Sequence, residues 1–507
     1  MRGDTTLTKV VDKFMDYVKK MTSFNEAISL MYWDMRTGAP KKGIEARSDV
    51  IGILSQEVFK MSTSEEMAAF IAELSKEEIR EDLSPIVCKT LEECIKEYER
   101  NKKIPADEYR NYVVLQSKAE SAWEEAKAKA DFSMFEPYLE QLVEYNKKFI
   151  NYWGVKGSPY NTLLDMYEPG VTVEDIDPVF KQLRDSIVPL VKEIANSGNN
   201  LDTSFLYKEF PKEQQRQFSL DLLKELGYSF EAGRLDETVH PFAIGLNPGD
   251  VRITTKYDTK DFRTAVFGTI HECGHAIYEQ NISKDLQGTP LCTGTSMGIH
   301  ESQSLFYENF VGRSRHYWQK NLSLLKNYAT EQFVNIDSNT FYKAINESKP
   351  SLIRIEADEL TYALHIMIRY EIEKGLFNGN LAVKDLPEIW NDKYEEYLGV
   401  RPTHDGEGVL QDVHWAGGSF GYFPSYALGY MYAAQFKNSM LKDIPNYDEL
   451  LESGNLIPIR TWLTENVHRY GKMKKPLEIL DDVTGEGLNA TYLINYLQSK
   501  YREIYEL

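Results

Sequence analysis

Phe262-Arg263-Thr264-Ala265-Val266-Phe267-Gly268-Thr269-Ile270-His271-Glu272-Cys273-Gly274-His275-Ala276-Ile277-Tyr278 is the stretch on which the reading of this chain turns. Apolar residues recur at helical spacing on both sides of His271-Glu272-Cys273-Gly274-His275, so the stretch predicts a single helix. A helical turn takes 3.6 residues, so histidines four apart project from one face and can share a metal ion. Glu272, beside them, is placed to act as a base. An H-E-x-x-H run on a helix points to hydrolysis by metal-activated water. Cys273 points round the helix from the histidines and is expected to pack.

Five residues can arise by chance, so the rest of the chain must support them. Of nine histidines, eight (His240, His271, His275, His300, His316, His365, His404 and His414) fall between positions 240 and 414. Histidine is the usual metal ligand and proton carrier near neutral pH, so this crowding marks where chemistry is expected. His316, in Arg313-Ser314-Arg315-His316, reads as a surface bystander.

A catalytic zinc takes three protein ligands and leaves a position for water. Gly298-Ile299-His300-Glu301-Ser302-Gln303-Ser304-Leu305-Phe306 reads as the start of a helix after a Gly/Thr-rich loop, and two packed helices would bring a carboxylate from it onto the histidines. Glu301 is favoured as the third ligand, with His300 and Glu308 as rivals. With such a site, Glu272 takes a proton from the attacking water and returns it to the leaving amine.

Composition bounds the remainder. The 507 residues carry a formal charge of −20, which argues against a nucleic-acid partner. No run of eighteen apolar residues occurs, and Met1-Arg2-Gly3-Asp4-Thr5-Thr6-Leu7 lacks the apolar core of a signal peptide, so no membrane association and a cytoplasmic location are expected. Cys88, Cys94, Cys273 and Cys292 lack C-x-x-C spacing, which removes zinc ribbons and disulfide frameworks. No linker or repeat divides the chain, so one catalytic unit is expected over 1–507, with a helical amino-terminal lobe to about 155 and a catalytic lobe over 156–507.

Helical periodicity runs from Thr8 to about Asn151, with Trp33-Asp34-Met35-Arg36-Thr37-Gly38-Ala39-Pro40 read as a turn and Gly154-Val155-Lys156-Gly157-Ser158-Pro159 as a second break. Before the metal helix, Asn247-Pro248-Gly249-Asp250 followed by the alternating Val251-Arg252-Ile253-Thr254-Thr255 predicts a β-hairpin. Two later segments suit a second wall of the site. In one, Arg354, Asp358, Tyr362 and His365 fall on one helical stripe, where Arg354 either forks onto a substrate carboxylate or pairs with Asp358 at i+4. The other, 408–430, alternates glycine and tyrosine around His414, and its tyrosine hydroxyls can donate to an oxyanion.

Five motifs in order, His240-Pro241-Phe242, Asp250-Val251-Arg252-Ile253-Thr254, His271-Glu272-Cys273-Gly274-His275 with His300-Glu301-Ser302-Gln303, Ile353-Arg354-Ile355-Glu356-Ala357-Asp358, and Gly408-Val409-Leu410-Gln411-Asp412-Val413-His414-Trp415, resemble the carboxypeptidase Taq family of metallocarboxypeptidases. The resemblance implies a mainly α, two-lobed fold with a long substrate groove and a small β-sheet next to the H-E-x-x-H helix, similar to neurolysin-like peptidases, and a homodimer. It implies removal of single residues from peptide carboxyl termini, with broad side-chain tolerance and poor action next to proline. By position, His271, His275 and Glu301 bind one divalent metal, zinc or cobalt, and Glu272 is the general base and acid. Arg354 and Tyr426 hold the substrate carboxylate, while His414 and Tyr422 contact the oxyanion or substrate. Arg252, with His240 among the substrate contacts, closes the far end of the groove. The alternatives are an oligoendopeptidase of the same fold and a catalytically dead helical scaffold.

Overall fold

The computed structural model describes residues 2–507, with side chains from residue 7 onward. Helices Arg2–Thr37, Ile44–Ser62, Glu65–Leu74 and Pro85–Lys103 pack around a small core of their own, built from Phe14, Val18, Met67, Phe70, Leu74, Leu91 and neighbours. Ser64 starts the third of these by accepting the Met67 N–H at 3.0 Å, as an N-cap serine does. The turn expected from Trp33 begins later than the sequence reading placed it. Trp33 is 3% exposed and its ring meets Phe242 at 5.5 Å, so burial keeps residues 33–37 helical and the chain breaks only at Gly38-Ala39-Pro40.

A second, larger core takes buried residues from Tyr112 to Tyr505. Helices Ala106–Lys129 and Glu136–Trp153 contribute to it, as do Val173–Ser197 and the carboxyl-terminal Thr491–Tyr505. The break at 154–158 is present, and Pro159 opens the next helix, Pro159–Leu164, where its missing N–H costs nothing.

The expected hairpin is also present, and it belongs to a sheet of three strands. Strand β1 is Leu235–Glu237, β2 is Ala243–Asn247 and β3 is Asp250–Thr255, in the order β1-β3-β2. β2 runs antiparallel to β3 with a bulge between Gly245 and Asn247, and β1 runs parallel to β3. At the hairpin turn Asn247 Oδ1 accepts the Gly249 N–H at 2.9 Å, the local bond that favours asparagine in turns. Alternation on β3 sends Val251 and Ile253 into the large core and leaves Arg252 on the other face. The sheet packs on the metal helix, Arg263–Gln280, where Thr255 and Thr269 hydroxyls meet at 3.0 Å.

Candidate metal centre

The metal helix lies against Met297–Leu305, and glycine sets how closely. A Cβ on Gly274 would stand 2.4 Å from Gln303 O and 2.6 Å from Ser304 Cα, so no other residue allows this approach without moving backbone. On the other side, a Cβ on Gly429, in helix Pro424–Asp443, would stand 2.7 Å from Glu301 Cβ. The Glu301 helix is thus clamped between the metal helix and the helix that carries Tyr426.

That approach brings His271, His275 and Glu301 together. Their ligand atoms all lie within 4.8 Å of one another, with Glu301 Oε2 at 3.8 Å from His271 Nε2 and 3.5 Å from His275 Nε2. Ligands bound about 2.0–2.2 Å from a tetrahedral ion stand roughly 3.3–3.6 Å apart, so this set fits a divalent cation with little movement. The side chains of His271 and His275 keep 23% and 16% exposure, which opens the trio to solvent.

The two rivals for third ligand have a different place. Glu308, on the π-helix Phe306–Gly312 that continues the Glu301 helix, takes His271 Nδ1 at 2.9 Å and is itself held by Arg313 Nη2 at 2.9 Å. His300 Nδ1 meets His275 Nδ1 at 2.6 Å, and its Nε2 meets Glu279 Oε1 at 2.9 Å. Both rivals meet the Nδ1 edges of the two histidine rings, Glu308 that of His271 and His300 that of His275, away from the Nε2 atoms that face Glu301. Tyr362 donates to Glu301 Oε1 at 3.2 Å.

The protein's own charges shift these groups strongly. Burial raises the Glu272 carboxyl to about 7, with the Glu301 carboxylate adding to it. Burial disfavours the His271 cation, but Glu301 and Glu308 outweigh it and raise the imidazole to about 10. Burial lowers His275 to about 4. Glu301 lies below its ordinary value: burial opposes its charge, and His271 and His275 overcome that. Cys273 is fully buried and packs, as expected.

The second wall departs from the sequence reading. Residues 353–365 are not one helix: Arg354–Glu356 is a short 3-10 turn, and a new helix, Tyr362–Phe377, begins after a break. Asp358 makes that break. It accepts the Leu360 and Thr361 N–H groups, each at 3.0 Å, and the Lys349 N–H from a neighbouring loop at 3.0 Å, so it is not the partner of Arg354. Arg354 instead grips Asp412 through Nε and Nη2, both at 2.9 Å.

Asp412 also takes the fully buried Arg369, through Nε at 2.7 Å and Nη2 at 2.6 Å. One carboxylate between two guanidiniums leaves one positive charge over. Burial opposes ionisation of Asp412, yet Arg369 and Arg354 hold its carboxyl far below the usual range. Arg354 lies over the Tyr426 ring at 5.0 Å, and Tyr426 Oη meets His414 Nε2 at 3.2 Å. Burial, with Arg354 nearby, lowers His414 to about 4 and keeps it neutral. Tyr422 stacks edge-on against Tyr426 at 5.2 Å.

Arg252 and His240 stand apart from this cluster. Arg252 is paired with Asp250 through two 2.7 Å bonds and lines a cavity of about 700 Å³ with Trp33, Arg47, Arg234 and Asp236. His240 is exposed on the loop between β1 and β2. His316 is paired with Glu452 at 2.7 Å at the surface. Sequence reasoning missed Glu279, Arg369 and Asp412 as partners. The signal available for Glu279 was a lone acid one turn beyond His275 among apolar residues, and for Asp412 a charge inside the glycine-rich segment.

The sequence pattern of the family described as Carboxypeptidase Taq (M32) metallopeptidase matches residues 13–501. The chain is 60% identical over 495 residues to Carboxypeptidase 1 of Bacillus subtilis (strain 168), covering 98% of each, and 39% identical over 487 residues to Thermostable carboxypeptidase 1 of Thermus thermophilus, covering 94% of this chain and 95% of that one. The crystal structure of M32 carboxypeptidase from Deinococcus radiodurans R1 superposes with a TM-score of 0.95 at 34% identity, covering 98% of this chain and 100% of that chain.

Proposed function

Because the chain belongs to the carboxypeptidase Taq (M32) metallopeptidase family, and is therefore a metal-dependent hydrolase acting on peptides, we propose that it removes single residues from peptide carboxyl termini with broad specificity, using His271, His275 and Glu301 to hold one divalent ion, zinc or cobalt. The observation that carries the exopeptidase reading is the single uncompensated positive charge of the Arg354–Asp412–Arg369 group, on the wall that meets the Glu301 helix at Gly429.

When bound, the ion would polarise the scissile carbonyl and acidify a water molecule. Glu272, with a carboxyl that titrates near neutrality in the protein's own field, takes the proton of the attacking water and passes it to the departing amine. Glu308 and Arg313 keep His271 turned to the centre. Arg354 offers the edge not used by Asp412 to the terminal carboxylate, a charge-assisted contact favoured by the planar fork of arginine. Tyr426 borders that contact, and neutral His414 and Tyr422 serve the substrate or the oxyanion as donors. Arg252 and His240 serve the far end of the groove and limit substrate length.

We read the whole chain, 1–507, as one catalytic unit, in which the amino-terminal helical lobe to about residue 155 shares its last two helices, Ala106–Lys129 and Glu136–Trp153, with the core of the lobe over 156–507 that carries the metal centre. Among the described residues no helix is long and apolar enough to cross a membrane. The unpaired Cys88, Cys94, Cys273 and Cys292 support a reducing, cytoplasmic setting, and the family reading extends to a homodimer. Mass spectrometry of the first products from an oligopeptide tests the proposal. A ladder shortened residue by residue from the carboxyl end is expected, and internal fragments as first products would make the chain an oligoendopeptidase instead.

A further inference from the structure

The two histidines of the centre present the same Nε2 edge but are held from behind by different chemistry. Behind His271 stands a carboxylate, Glu308, clamped by Arg313. Behind His275 stands a second imidazole, with the two Nδ1 atoms 2.6 Å apart, and this imidazole ends on Glu279 at 2.9 Å. With His275 turned to an ion through Nε2, such a chain has one consistent set of protons. Glu279 Oε1 already accepts the Gly294 N–H at 3.0 Å and the Thr293 hydroxyl at 3.2 Å, so it meets His300 Nε2 as an acceptor, of Nε2–H. A His275 that offers its Nε2 lone pair to an ion carries its hydrogen on Nδ1, so His300 Nδ1 accepts it and the hydrogen of the His300 ring lies on Nε2. With a hydrogen on His275 Nδ1, a second one on His300 Nδ1 would set two N–H groups against each other at 2.6 Å.

Packing holds the His300 ring in that pose. It lies 5.2 Å from the Tyr278 ring, and a Cβ on Gly294 would stand 2.6 Å from His300 Cδ2. Both of its nitrogens are spent, so it has no lone pair for an ion.

On the reading that His271, His275 and Glu301 hold a divalent cation, we propose that His300 is a positioning residue of the centre. Anchored on Glu279 as the Nε2–H tautomer, it accepts the Nδ1–H of His275 and fixes that ring with its Nε2 lone pair turned to the ion. His300 touches neither the ion nor the substrate, and its effect falls on how tightly and in what geometry the ion is held.

The test titrates metal-stripped full-length protein with zinc against a chromophoric chelator, and with cobalt while following the visible absorption of the bound ion. Wild type, His300→Leu, His300→Gln and Gly294→Ala are compared. His300→Leu is expected to weaken binding by about tenfold to a hundredfold and to alter the cobalt bands, with the melting temperature of the stripped protein unchanged. His300→Gln, whose amide oxygen accepts from His275 while its NH₂ donates to Glu279, should recover most of the affinity. Gly294→Ala keeps every hydrogen-bonding atom but crowds the ring, and should fall between them. His300→Leu binding cobalt with wild-type affinity and spectrum would overturn the proposal. Should His300→Leu fail to fold, Gly294→Ala decides, and wild-type affinity and spectrum there would overturn it equally. A wild-type protein that takes up no ion refutes the metal reading beneath it, a separate failure.

Discussion

Two side chains carry the chemistry assigned to this site most directly. Glu272 is the proposed proton carrier, and Glu272→Gln preserves size while removing that ability. It should lower kcat by about 10²–10⁴-fold while metal content by elemental analysis stays at the wild-type level. Loss of metal together with activity would make Glu272 a structural residue instead. Arg354 is the proposed anchor of the terminal carboxylate. A charge-assisted hydrogen bond contributes about 1.5–3 kcal/mol, so Arg354→Met should lose roughly tenfold to a hundredfold in kcat/KM on free-acid peptides and little on the corresponding amides. Equal losses on both would place Arg354 in the scaffold, alongside Arg369.

At the scale of elements, the site depends on helices approaching at glycine. Gly274→Ala inserts a Cβ against the backbone of Gln303 and Ser304, so the helices must separate. The expected cost is about 1–3 kcal/mol in thermal or urea unfolding, together with weaker metal binding, because Glu301 moves away from the histidines. Unchanged stability and affinity would show that the helix pair has slack. A second element-scale device caps the Glu301 helix. The buried Glu168 accepts the Gly298 N–H at 2.8 Å, the Ser296 hydroxyl at 2.9 Å and the Tyr432 hydroxyl at 3.1 Å. Burial outweighs those donors and raises its carboxyl to about 7. A carboxyl with a folded pKa above its unfolded value near about 4.3 supports folding fully below that value and loses the contribution as pH rises through about 7. Glu168→Gln stays neutral, so its melting temperature should gain on the wild type as pH rises from about 5 to about 8. A difference that is flat with pH would contradict the assignment.

At the scale of the whole molecule, the sequence disclosed what depends on period and spacing. The metal helix, the hairpin and the breaks at Pro40 and Pro159 follow from local rules, and the structure contains them. Spacing also put His271, His275 and Glu301 on facing helices, but it could not separate a ligand from the residue behind it. His300 precedes Glu301 by one position and Glu308 follows it by seven, and only the packing at Gly274 decides which atom faces the pair. The stripe from Arg354 to His365 misled because periodicity does not register an aspartate that ends one turn and caps the next helix. The partners of Arg354 lie far along the chain, at Asp412 directly and Arg369 through it, and tertiary folding alone brings them together. The same long-range packing joins the glycine and tyrosine segment to the metal helices, which turns separate motifs into one site. The central claim is therefore one of assembly: a cation held by His271, His275 and Glu301 works beside a pocket for a free carboxylate. It is tested most directly by digesting one peptide, as the free acid and as its carboxyl-terminal amide, with and without a chelator. The free acid should be shortened one residue at a time, the amide cut roughly tenfold to a hundredfold more slowly, and chelation should stop the reaction until zinc or cobalt is restored. Cleavage of the amide at the rate of the acid, or undiminished cleavage by the stripped protein, would contradict the account.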